Sequence, residues 1–126
     1  MKHDFVRTRA VADGMIKKWG QPAQLWHRDG TKRDCTAAIM NYTTQERLGQ
    51  PLNPTDRKAL VSALAPDGGD LSEPDYVNEQ LVTFKMTDDG VMVEPQTVDE
   101  KLSLPFRPAR VGTSSVTVFW RVAVRK

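Results

Sequence analysis

Over the last residues of the chain, apolar and polar positions alternate. Val116, Val118, Trp120, Val122 and Val124 fall on one face of an extended segment, and Thr117, Phe119, Arg121, Ala123 and Arg125 fall on the other, because strand side chains alternate with period two. The first face is core. The second mixes an aromatic ring with arginines, which suits a face covered by another chain and also suits an ordinary exposed strand. At the opposite end the period changes. In DFVRTRAVADGMIKKW, residues 4–19, Phe5, Val6, Ala10, Val11, Met15, Ile16 and Trp19 recur close to helical spacing, which predicts an amphipathic helix. Asp4 caps its start, Lys17 and Lys18 complement the carboxyl-end dipole, and Gly20 with Pro22 stops it.

Between these ends the pattern is one of strands. AQLWHR (23–28) and KRDCTAAIMNY (32–42) flank Asp29-Gly30, a dipeptide that favours the primed turns of hairpins. TTQERLGQPLNPT (43–55) is polar, contains Gly49, Pro51 and Pro54, shows no period and predicts a long loop. DRKALVSAL (56–64) predicts a strand, and PDGGDLSEPD (66–75) a second long, acidic loop. Leu81 to Met86 and Val91 to Val93 flank Asp89-Gly90 as a further hairpin, and TVDEKLSL (97–104) follows as a strand. Residues 105–115 carry Pro105 and Pro108 and predict a turn region without regular structure. The expected fold is mainly β: one domain over 1–126, with an N-terminal helix in 1–20. A small barrel of about six antiparallel strands in 21–126 follows, carrying long loops at 43–55 and 66–75. Trp19, Trp26, Phe84 and Trp120 are read as core-directed.

A chain of 126 residues can bury a core without disulfides or metals. No apolar run approaches the roughly 20 residues that cross a bilayer, and charges interrupt the start throughout, so a cytoplasmic site of assembly is expected. The net charge of +2 hides strong blocks. Residues 1–33 carry eight Lys/Arg against three Asp/Glu, 66–100 one against ten, and 101–126 six against none. Such blocks suit packing between identical subunits, and equally suit neutralisation within one fold.

Catalytic and metal chemistry finds little support. Cys35 is the only cysteine and His3 and His27 are far apart, so a zinc site is not expected. A hairpin at Asp29-Gly30 would allow Cys35 and His27 to meet as a thiolate pair, but no third group is indicated to orient them. Cys35 is read instead as a small packed residue. GTSSV (112–116) lacks the second glycine of a nucleophile elbow. Asp67, Asp70, Glu73 and Asp75 lack the order of a calcium loop, and Gly68-Gly69 has no Lys-Ser/Thr after it to cradle a phosphate. No enzyme activity and no cofactor are expected.

Several segments, taken in order, carry a resemblance. WGQPAQLWHRDG (19–30) is similar to the opening of small head–tail joining proteins of long-tailed bacteriophages, in which a helix, a Phe/Trp-Gly step and a short basic strand succeed one another. DRKALVSA (56–63), SEPDYVNEQLVTF (72–84) and RPARVGTSSVTVFWRVAVRK (107–126) resemble the rest: a short strand leading to a Pro-Asp step, then an Arg-Pro and an aromatic-rich closing strand. The resemblance covers most of the chain and rests on order rather than on a strict motif.

It implies a head-closure, or stopper, subunit of the virion neck, assembled in the bacterial host. Its partners would be further copies of itself, in a ring of about six or twelve, the portal or adaptor, the tail or its terminator, and the end of the packaged duplex DNA. No membrane is implied. By position, residues 43–55 match the family's channel loop, with Arg47, Leu48, Gln50 and Asn53 nearest the DNA. The acidic loop and the closing strand would supply subunit contacts through Asp70, Glu73, Asp75, Phe119, Arg121 and Arg125. A tail-terminator role stays open. So does a single-strand nucleic-acid-binding barrel using Phe119, Arg121 and Arg125 as a platform.

Overall fold

The architecture comes from a computed structural model that describes residues 5–48, 51–85, 98–112 and 116–126. Helix α1 (Phe5–Trp19) leads into β1 (Gln21–His27) and β2 (Lys32–Asn41), which pair antiparallel around the Asp29-Gly30 turn as the sequence predicts. Gly30 adopts φ +96° there, a conformation that glycine supplies without steric cost. A four-residue helix α2 (Thr44–Arg47), β3 (Arg57–Ser62), β4 (Glu79–Phe84), β5 (Val98–Leu102), β6 (Ala109–Gly112) and β7 (Thr117–Val124) complete the chain. The hairpin expected around Asp89-Gly90 lies outside the described residues.

The fold is mainly β: one antiparallel sheet of seven strands in the order β5-β4-β1-β2-β3-β7-β6. The expected barrel is corrected in two respects. First, β6 is a strand where the sequence predicts a turn region; directly after Pro108, Arg110 and Val111 pair with Trp120 and Phe119. Second, the sheet is not closed. It rolls far enough for Ser103 and Arg125 to exchange backbone hydrogen bonds of 2.7 and 2.9 Å, and for Arg57 on β3 to meet Glu100 on β5 at 2.6 Å. But β6 already pairs along β7 from Thr117 to Arg121. Only the far end of that edge is left to the β5 segment, so a bridge stands where a closing ladder would.

The concave face holds the core: Leu25, Cys35, Ala37, Ala59, Val61, Leu81, Leu102, Trp120, Val122 and Val124 are buried, with Leu71 and Leu104 added from the connections. Both ends of this interior are polar and paired. At one, Arg33 forms two hydrogen bonds, of 2.7 and 3.1 Å, with the carboxylate of buried Glu79, and donates also to Ser72 Oγ at 2.7 Å. At the other, Arg125 forms two bonds of 2.8 Å with Asp56, whose side chain has no exposure. Buried ion pairs of this kind are stable only with such complete partnering.

Helix α1 lies on the convex face over β2, β3 and β7. Ser62, which points away from the core, donates to the carboxylate of buried Asp13, and Lys17 closes on the same carboxylate at 3.0 Å. Thr36, Ala38 and Ile16 are buried with them. Phe119, opposite Ser62 in register, is half-buried on this face. Part of the cover expected from another chain is thus supplied by the protein's own helix.

Candidate functional site

The described residues of the 43–55 segment, 43–48 and 51–55, are more ordered than a polar, aperiodic loop predicts. Thr43 and Glu46 form a capping box around α2, with bonds of 3.1 and 3.0 Å. The Thr-x-x-Glu spacing that signals it was present in the sequence. Glu46 also holds Lys58 at 2.7 Å, and the Lys58 ammonium, with the Thr43 amide, lowers its carboxyl to about 2. Arg47 turns back onto the segment, donating to the carbonyls of Asn53 at 3.0 Å and Asp56 at 3.1 Å, with its guanidinium over the Tyr42 ring. The Asn53 amide in turn donates to Asp56. Of the four residues placed by resemblance near DNA, Arg47 and Asn53 therefore hold the loop's shape. Leu48 projects at 73% exposure, and Gln50 lies outside the described residues.

The acidic segment is likewise engaged within the chain. Asp70 accepts from Arg9 at 2.8 Å and Glu73 from Arg107 at 3.0 Å. Asp75 accepts from the Asn78 side-chain amide, which together with backbone amides lowers its pKa. These pairs account for part of the blockwise charge as intramolecular neutralisation. On the closing strand Arg121 is exposed, whereas Arg125 is committed to Asp56. Phe119, Arg121 and Arg125 do not form one platform.

Cys35 and His27 do not meet. Cys35 pairs with Ala23 in the core, while His27 sits at the end of β1, 3.0 Å from Asp29 and 3.7 Å from Asp75. Burial pushes the Cys35 thiol up to about 12. Since the thiolate is the reactive form, a disulfide-exchange reagent added to native protein is expected to label Cys35 only as fast as the sheet opens. Labelling in native buffer at the rate of a free thiol would contradict this. Among the described residues no cluster of three or more His, Cys, Asp or Glu can hold a metal ion, and no helix is long and apolar enough to cross a membrane.

What the surface does offer, the sequence reading placed inside. Val11, Met15 and Trp19 stand four residues apart on α1 and are 59%, 57% and 73% exposed. The helix buries its other side, through Asp13 and Ile16. Both stripes are visible in the sequence, but only the pairing of Asp13 with Ser62 decides which one faces the sheet. Trp26 is the second correction. It is half-exposed on the convex face, with the ammonium groups of Lys32 and Lys101 4.3 and 5.0 Å from its ring centre. No protein-family model, no curated protein and no solved structure matches this chain.

Proposed function

We propose that the chain is a non-enzymatic structural subunit of a bacteriophage neck. It assembles into a ring below the portal or adaptor, closes the DNA-filled head and presents the surface on which the tail docks. The observation that carries this reading is the Val11-Met15-Trp19 row. Three large apolar side chains along one line of a helix, on a domain whose core is already filled, suit burial against a second protein. Lys17 and Lys18 beside the row are exposed and would form the polar rim of such a contact. The braced residues 43–48 and 51–56, with Leu48 exposed, support the reading in a second way. A stretch held by a capping box and by Arg47 keeps a fixed shape, as a constriction of a channel requires.

Electron microscopy of lysates from a phage or prophage lacking the gene tests it. The expected picture is free tails beside heads that are empty or leaking, restored to joined particles by the wild-type gene. A gene carrying Val11→Ser, Met15→Ser and Trp19→Ser is expected to produce folded protein that fails to restore joining. Normal, joined particles from the deletion would overturn the proposal.

A further inference from the structure

The convex face around Trp26 carries an arrangement that the neck reading does not use. Trp26 is fixed in orientation: its Nε1 donates to Gln24 Oε1 at 2.8 Å, and Gln24 Nε2 donates to Asp34 Oδ1 at 2.9 Å. Lys32 is its direct cross-strand partner on β2. Lys101 reaches the same ring from β5, with β4 between. Two ammonium groups thus stand on one indole. Among the described residues neither takes part in an ion pair with a carboxylate. Asp34 is turned to Gln24, and Asp99, two residues before Lys101, is exposed on the same face without reaching either ammonium. Beside them, exposed Arg28 lines a groove of about 420 Å³ together with Trp26, Tyr76, Val77 and Gln80.

Like charges held close on an aromatic face repel one another, and an anion bridging them removes that repulsion. The charges are spread over β2, β5 and the β1–β2 turn rather than gathered at one point, which fits a chain of anions better than a single phosphate. The groove adds the Tyr76 ring to that of Trp26, and aromatic rings are the usual partners of unstacked bases. We infer that this face binds the phosphodiester backbone of nucleic acid, through Lys32, Lys101 and Arg28. The inference stands on the geometry around Trp26 and does not rest on the neck reading.

Titration of the full chain with an oligonucleotide of about 20 residues, single-stranded and duplex, across a salt series tests it. Three phosphate contacts predict that log affinity falls with log salt at a slope of about −2 to −3. The Lys32→Ala/Lys101→Ala variant is expected to bind at least about tenfold more weakly, with a slope shallower by about 2. Lys85→Ala, an exposed lysine just past the end of β4 remote from Gln80, is expected to match wild type in both. Tighter binding of the single strand assigns the groove to bases and equal binding assigns the backbone alone; both uphold the proposal. No binding of either probe at low salt overturns it, as does unchanged binding by a Lys32→Ala/Lys101→Ala protein whose circular dichroism matches wild type.

Discussion

Replacing Asp56 with alanine is expected to lower the stability of the fold by about 3 kcal/mol and its melting temperature by about 10 °C. The carboxylate has no exposure, receives both arms of the Arg125 guanidinium at 2.8 Å and accepts the Asn53 amide at 2.9 Å. Its own carbonyl takes a bond from Arg47. It therefore ties the 43–56 segment to the end of β7, where Arg125 also bridges to Ser103. Truncating one partner of a buried pair leaves the other charge unpartnered, which costs about 3–5 kcal/mol. The lower end applies because the Arg125 side chain is 31% exposed and water can reach it.

The pH dependence follows the sign of the shift. The Arg125 hydrogen bonds, against some desolvation, hold the Asp56 pKa below its usual value. Its contribution is therefore complete above the unfolded-state value of about 3.9 and is lost as pH falls through the lower folded-state value. The gap in denaturation midpoint between wild type and Asp56→Ala should be constant from neutral pH down to about 5, then shrink on acidification. A gap that persists unchanged at pH 2 would mean that packing, not charge, accounts for the loss. In a double-mutant cycle with Arg125→Ala the double variant should lose less stability than the sum of the two single losses.

The elements that were legible in the sequence are those whose signal is local. The Asp29-Gly30 hairpin, β3, β7 and the extent of α1 follow from turn chemistry and periodicity alone, and they stand where the sequence predicts them. What was not legible depends on contacts between distant residues. Asp56 and Arg125 are 69 positions apart, and Arg33 and Glu79 are 46 apart; nothing in either local stretch announces the pair. The orientation of α1 is of the same kind. An apolar row at four-residue spacing ordinarily marks the buried side. Here a carboxylate takes that side because Ser62 and Lys17 satisfy it. β6 was missed for a different reason. Pro105 and Pro108 exclude regular structure up to their own positions but not beyond, and a four-residue edge strand has too short a period to register. The candidate surfaces were missed together, since Trp19 and Trp26 were assigned inward on hydrophobicity, before the fold had decided which faces were already filled.

The two glycines of the α1 region turn this distinction into a pair of opposite outcomes. Gly14 is exposed in the helix interior, and a Cβ built there meets nothing within 4 Å. Gly14→Ala is therefore expected to raise stability by about 1 kcal/mol, the ordinary helix-propensity gain. Gly20 sits where α1 turns into β1, its amide bonded to the Ile16 carbonyl at 2.7 Å. A Cβ at Gly20 would lie 2.4 Å from the Ala37 carbonyl oxygen and 2.6 Å from that of Ile16. Both are backbone atoms in regular elements and cannot step aside as a flexible side chain would. Gly20→Ala is expected to cost about 3 kcal/mol, the upper end of overpacking penalties, by lifting the end of the helix off β2. Hydrogen exchange locates the damage. Amides of α1 should lose protection while those of β1, β2 and β3 keep most of theirs, because the concave core does not depend on the helix. Uniform loss across helix and sheet would instead show that α1 and the sheet unfold as one unit, and a Gly20→Ala protein as stable as wild type would show that the close approach of α1 to β2 is not what holds the helix in place.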